Sequence, residues 1–186
     1  KGKACSLCGT VKRYVMNAYS YEGRFDFLAT GHTLSDVVSS TLNNLANVYV
    51  QAFRGVGPFL EAKEEFKLSR KIKPLYYLTD EECKLYSELL ELPFYTGKCP
   101  YVSDAPTKRI KAWLNRLERD QPGVLRNFAK SFTLLESSME NRGEILKCKR
   151  CGYATTTRIC KFCRLMNLSL IHISEPTRLG MISYAV

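Results

Sequence analysis

The sequence predicts an α/β protein: an open parallel sheet covered by helices, then further helices and a small cysteine-rich ribbon at the C-terminal end. Three observations predict it. Short apolar runs alternate with stretches of helical period. Four of the eight cysteines fall as two Cys-x-x-Cys pairs close together. The 186 residues, 45% hydrophobic and 25% charged, are enough for one domain with a core and a small appendage. No run of about eighteen apolar residues exists to span a bilayer, so no membrane partner is expected. The formal charge of +10 favours an anionic partner, nucleic acid first.

The elements follow in order. Cys5-x-x-Cys8 precedes Gly9 to Met16, which reads as a helix start and places both thiols near a helix N-terminus. Arg24 to Thr30 is a short strand ending in Gly31-His32-Thr33-Leu34-Ser35-Asp36. Leu34, Val38, Leu42, Leu45 and Tyr49 keep helical spacing, with an N-cap by Ser35 or Asp36 as the alternative to a ligand-binding role for the loop before them. Arg70 to Leu78 reads as a second strand. Thr79-Asp80-Glu81-Glu82 then opens a helix as a capping box, and Cys83 inside it is expected to be a buried small hydrophobe. Ile110, Trp113, Leu114 and Leu117 line one side of the next helix, whose other side carries Lys108, Arg109, Lys111, Arg116 and Arg119. Gln121-Pro122-Gly123 breaks it. Val124, Phe128, Phe132, Leu135 and Met139 make the last amphipathic helix, which leads through Asn141-Arg142-Gly143 to the ribbon.

The stretch from Leu168 to Val186 has no period that fits its surroundings. Leu168 to Arg178 back-translates to a transposase-type sequencing-library adapter, and Ile182 to Val186 fits that adapter's far end. We therefore expect 168–186 to be translated adapter and exclude it from fold reasoning. It holds only Glu175 and Arg178 as charges, so the +10 belongs to residues 1–167. The chain then divides into 1–104, 105–143 as a basic helical segment, 144–167 as the ribbon, and the adapter.

Cys148-x-x-Cys151 and Cys160-x-x-Cys163 can present four thiolates to one tetrahedral metal, because each pair makes a knuckle whose backbone amides point at the sulfurs. Zinc is the expected ion, against a pair of disulfides that only a secreted context would favour. Too few apolar residues surround these cysteines to make a core, so the metal would hold the piece together. Cys5-x-x-Cys8 has no second pair nearby and reads as either redox or metal-binding. Cys99, in a loop of turn residues, adds a third option: three thiolates can hold an iron–sulfur cluster and leave one iron open.

In open sheets a ligand sits beyond the carboxyl ends of the strands, where the Gly31-His32-x-x-x-Asp36 loop is expected. As a set, Cys5-Ser6-x-Cys8-Gly9-x-x-Lys12-Arg13, Ala29-Thr30-Gly31-His32-x-Leu34-x-Asp36, Lys73-Pro74-Leu75, Gly97-x-Cys99-Pro100, Leu114-Asn115-x-Leu117-Glu118 with Pro122-Gly123, and Cys148-Lys149-x-Cys151-Gly152 resemble the tRNA 2-thiouridine synthetases of the PP-loop ATP-pyrophosphatase superfamily. The resemblance covers nearly all of residues 1–167. It implies an adenine nucleotide alpha-hydrolase-like domain in a cytoplasmic tRNA sulfurtransferase. It implies a 4Fe-4S cluster on Cys5, Cys8 and Cys99, with Lys12 and Asp36 as active-site residues and Gly31 and His32 at the nucleotide. The reaction it implies is ATP- and magnesium-dependent adenylation of the uridine C2 oxygen, followed by sulfur transfer. The implied partners are tRNA, a ubiquitin-like thiocarboxylate protein as sulfur donor, and a second copy in a homodimer.

Two departures stand out. The family's Ser-Gly-Gly-x-Asp-Ser phosphate loop and its N-terminal zinc finger do not occur in the 186 residues, so this chain alone is expected not to use ATP. The GH loop carries Ser35-Asp36 where two acidic residues usually stand together. The alternatives are a non-enzymatic zinc-ribbon RNA-binding module and a relative of the tRNA 2-thiocytidine synthetases.

Overall fold

The computed structural model describes residues 3–49, 55–95, 97, 99–101, 106–138 and 145–174. Thr96, Lys98, Met139, Asn141, Arg142, Gly143 and residues 175–186 lie outside them. Six helices and five two-residue strands are present among the described residues: α1 (Lys3–Glu22), β1 (Leu28–Ala29), α2 (Leu34–Ala46), β2 (Phe59–Leu60), β3 (Lys71–Ile72), α3 (Asp80–Leu89), α4 (Pro106–Asp120), α5 (Val124–Ser138), β4 (Leu146–Lys147), β5 (Ala154–Thr155) and α6 (Lys161–Ser174). Strands β1 and β3 pair in parallel, Leu28 with Lys71 and Ala29 with Ile72, joined by a crossover that contains α2. β2 pairs antiparallel with β3, so the described sheet is mixed, in the order β1-β3-β2.

The core lies among the helices behind this sheet. Leu34, Val37 and Val38 of α2 pack with Leu114 of α4 and with Leu125, Ala129 and Phe132 of α5, closed by Val56 and Tyr76. Burying each large side chain stabilises the fold by about 1.5–3 kcal/mol, which makes α2 the organising element. The expected helical stripes reach the core through Leu34, Val38, Leu114 and Phe132, with Leu42, Ile110, Val124 and Phe128 packed against it, but their margins differ. Trp113, Leu45, Tyr49 and Leu135 are exposed, while Val37, Leu125 and Ala129 are buried. Cys83 is half-buried rather than enclosed.

The strands are shorter than expected. Arg70 to Leu78 pairs only at Lys71 and Ile72, because Pro74 has no amide to donate and the chain turns instead. Tyr76 N–H donates to the Lys73 carbonyl and Leu78 N–H to that of Leu75. The α2 cap also differs: Thr33, not Ser35 or Asp36, is the N-cap, with Asp36 as the reciprocal third residue of a capping box. The Thr79–Glu82 box on α3 is present. Gly123, at φ 93°, takes the left-handed conformation that the α4–α5 corner needs. Glu118 accepts there from the amides of Gly123 (2.7 Å) and Leu125 (2.8 Å).

The ribbon, β4–β5 and the start of α6, sits on α1. The Tyr14 ring stacks on Phe162 with centroids 3.7 Å apart and planes 8° apart, and Tyr153 tilts against it at 5.0 Å. Tyr153 Oη donates to Glu22 (3.2 Å) and Lys161 Nζ to Ser6 Oγ (2.7 Å). Helix α6 continues without a break into the stretch expected to be adapter, as far as Ser174.

Candidate functional site

Cys5, Cys8 and Lys12 follow one another at helical spacing on α1 and so share one face of it. Cys5 is half-buried and Cys8 exposed, both within the first two turns, because the helix begins at Lys3 rather than at Gly9. The Cys5 thiol donates to the Tyr101 carbonyl at 3.7 Å across 96 residues of chain, which brings the loop carrying exposed Cys99 alongside α1. The three thiols do not converge on one small point. Among the described residues, the one group of three or more ligating side chains with atoms within 4.8 Å of one another is the ribbon's four cysteines. A cluster several ångströms across spans thiols set wider apart than a single ion does.

In the ribbon the fit to a tetrahedral ion is direct. The Cys151 and Cys160 sulfurs are 3.8 Å apart, about the edge of a tetrahedron built on the usual Zn–S length. The amides of Cys160 and Cys163 donate to the sulfurs of Cys148 (3.2 Å) and Cys160 (3.4 Å), as knuckle amides do. Burial opposes ionisation of Cys148, but the amides of Cys160, Cys151 and Arg150 outweigh it and bring that thiol down to about 6. Burial and the adjacent sulfurs push Cys163 up, so packing four thiols together without a cation is unfavourable. Gly152, at φ 77°, makes the turn after the first knuckle.

The GH loop leaves β1 at its carboxyl end. Gly31 faces open space, with nothing within 4 Å of where a Cβ would stand. His32 Nδ1 is hydrogen-bonded to Thr30 Oγ1 at 2.9 Å. Burial holds His32 below its ordinary pKa; Asp36 pulls the other way, while Lys73, Arg13 and Lys111 add to the depression. A cavity of about 240 Å³ opens beside it, lined by His32, Thr41, Asn44, Val56 and Lys73 among others.

Asp36 stands where the starts of α2 and α3 meet the side of α4. One oxygen accepts from Lys111 Nζ of α4 at 2.6 Å, and the other from the Thr33 amide at 3.2 Å, with the Thr33 hydroxyl oxygen 3.3 Å away. Lys111 reaches equally, at 2.6 Å, to Asp80 at the start of α3. Thr33 Oγ1 donates to Asp80 at 2.6 Å, and the Asp80 amide donates to Ser35 Oγ at 3.4 Å. A second carboxylate, Asp80 of α3, thus stands beside Asp36 through the shared Lys111. Partial burial works against the Asp36 charge, but Lys111 and Thr33 outweigh it and hold the carboxyl below its ordinary value. Lys111 is raised in return, despite its burial.

Lys111 and Asp80 are residues that sequence reasoning did not single out for this site. Lys73 is a third. Its ammonium donates to the carbonyls of Gly55 (2.6 Å), Val56 (3.2 Å) and Gly57 (2.9 Å), while Glu136 accepts from the Gly55 amide (2.8 Å). Burial lowers Lys73 to about 8, with Glu136 opposing and Lys71 adding to the shift. The ordered Lys73-Pro74-Leu75 motif was its only signal.

No protein-family model matches the chain. Over 164 residues it is 39% identical to a tRNA-5-methyluridine(54) 2-sulfurtransferase of Thermotoga maritima, an alignment covering 87% of the chain and 53% of that protein. It is 36% identical to the protein of the same name in Pyrococcus horikoshii, covering 88% of the chain and 53% of the relative. Among solved structures, the U34-tRNA thiolase NcsA from Methanococcus maripaludis, determined with its [4Fe-4S] cluster, superposes with a TM-score of 0.74 at 31% identity. That match covers 88% of the chain and 52% of the thiolase. The chain spans about half the length of the curated relatives it matches. Shared sequence over nearly nine-tenths of these residues and a shared fold lead to one conclusion: over about half of their length, the chain is a relative of the tRNA 2-thiolation proteins.

Proposed function

We propose that this chain is a substantial part of a cytoplasmic tRNA 2-thiouridine synthetase, in which Cys5, Cys8 and Cys99 hold a 4Fe-4S cluster and Cys148, Cys151, Cys160 and Cys163 hold a structural zinc. The observation that carries the reading is the contact between Cys5 and the Tyr101 carbonyl, which sets the Cys99 loop beside the Cys-x-x-Cys helix. A cluster on three cysteines would leave one iron open to a sulfur atom, supplied by a ubiquitin-like thiocarboxylate protein. The ribbon's four thiolates fill zinc's coordination, so that ion would be structural.

The chain's own residues would do the rest. Lys12, exposed one turn beyond Cys8, would neutralise phosphate or oxyanion charge at the activated uridine. His32, held below its ordinary pKa, would meet the nucleotide without adding a proton's charge. Asp36, Lys111 and Asp80 would fix the charge at the carboxyl end of β1. A magnesium ion at Asp36 would have to compete with the Lys111 ammonium for that carboxylate. Basic α4 and the ribbon would hold tRNA, and the working enzyme would be a homodimer.

Because Ser-Gly-Gly-x-Asp-Ser does not occur among the 186 residues, we expect this chain by itself not to adenylate uridine. Anaerobic reconstitution with iron and sulfide tests the cluster. Wild type is expected to gain cluster absorbance, and Cys99→Ala to lose it while keeping its zinc. Equal absorbance in the two proteins, or none in wild type, would favour a zinc-ribbon RNA-binding module without catalysis.

A further inference from the structure

A cavity of about 460 Å³ lies between α1, β3 and the ribbon. Arg13, Lys71 and Lys161 line it together with Tyr14, Tyr153 and Phe162, and no Asp or Glu is among its lining residues. Lys161 is tied to Ser6, but among the described residues neither Arg13 nor Lys71 has a hydrogen-bond or ion-pair partner. Lys71 is half-buried on β3, and burial and the neighbouring Arg13 charge both depress its pKa. Arg13 and Lys71 also border a second cavity that Glu61 and Glu136 line, but on this side two neighbouring cations, one partly desolvated, meet no acidic residue, and an anion would offset their charge. The surrounding rings and the hydroxyls of Thr10, Thr155 and Thr156 suit a sugar and base beside that anion.

Position narrows the choice of ligand. Arg13 follows Lys12 on α1, and its charge is felt at His32. Lys161 is anchored one residue from Cys5. We propose that this cavity binds the sugar–phosphate backbone of the RNA substrate, with a phosphate between Arg13 and Lys71 and the adjoining nucleotide against the Tyr14–Tyr153 wall. The ribbon is then one side of an RNA subsite beside the Cys5, Cys8 and Cys99 thiols. This rests on the thiolation reading and adds to it the place where RNA is gripped.

The test uses the zinc-loaded 186-residue chain, an unmodified tRNA transcript followed by fluorescence anisotropy, and ATP alone followed by calorimetry. The double variant R13Q/K71M is expected to weaken tRNA binding about tenfold and to flatten its salt dependence by about one to two phosphate contacts. The charge-matched control K84Q/K130Q, on the exposed faces of α3 and α5, is expected to change it by less than about twofold. Zinc content and circular dichroism report folding. If the double variant fails to fold, R13Q alone carries the test, with about a threefold loss expected. Equal weakening in both doubles, or loss of ATP binding with tRNA binding intact, overturns the RNA subsite. Wild-type tRNA binding that R13Q/K71M leaves unchanged overturns the subsite and spares the thiolation reading. Failure of wild type to bind tRNA at all counts against both.

Discussion

Lys111 shows how far one ammonium can reach. It bonds to Asp36 and Asp80, which come from two different helix starts, and it helps hold the Asp36 carboxyl below its ordinary pKa. In Lys111→Met those carboxylates would face each other without a cation, and we expect unfolding stability at neutral pH to fall by about 1–2 kcal/mol, a value discounted for the pair's partial exposure. The sign of the pH dependence follows from Asp36. Its folded pKa is depressed, so its contribution is complete above the ordinary aspartate value near 3.9 and is lost as pH falls through the depressed one. The stability gap between wild type and Lys111→Met should therefore close on acidification below about pH 4, as denaturant titrations across pH would register. Asp36 was legible because a glycine and a histidine precede it at fixed spacing. Lys111 was not, since in the sequence it is one of five basic residues on a helix 75 residues away. Its one distinguishing mark is that it lies between Ile110 and Leu114, on the side that packs into the core.

Helices were easier to read than strands because they carry a repeating face and strands of two residues carry none. Phe59–Leu60 was invisible for that reason, and it turns the expected parallel sheet into a mixed one. Lys73-Pro74 looked like strand continuation until the missing proline amide was counted. The Leu114-Asn115-x-Leu117-Glu118 and Pro122-Gly123 motif, in contrast, acquires a plain physical meaning. Leu114 is fully buried, Gly123 makes the corner, and the Glu118 carboxylate caps the first turn of α5 through two backbone amides. Glu118→Ala leaves both amides without that partner and should cost about 1–3 kcal/mol, measurable as an earlier denaturant midpoint with an unchanged slope. Glu118→Gln, which keeps an acceptor, should recover part of the loss.

At the scale of the molecule, the ribbon is docked rather than appended. With the proposed zinc bound, its stability would have two sources, the metal and the Tyr14–Phe162 and Tyr153–Glu22 contacts with α1. Stripping zinc with a strong chelator should release four titratable thiols, reduce helicity from α6, and unstack Tyr14, which tyrosine fluorescence would follow. Phe162→Ala should leave zinc binding intact while weakening the dock, visible as faster proteolysis after Lys161. The order of the motifs and the four-cysteine ribbon were legible from sequence, because metal spacing is local. The dock was not: Tyr14 and Phe162 are 148 positions apart, and nothing in either neighbourhood announces the other.

That dock also joins two proposed metal sites that share no ligand. Lys161 holds Ser6 at one end of α1 while Phe162 holds Tyr14 further along, so the helix bearing Cys5 and Cys8 is braced by a fold that the cysteines of the ribbon maintain. If the ribbon holds zinc and α1 carries cluster ligands as proposed, a cell short of zinc would loosen the thiols meant for iron, and scarcity of one element would show itself as a deficiency of the other.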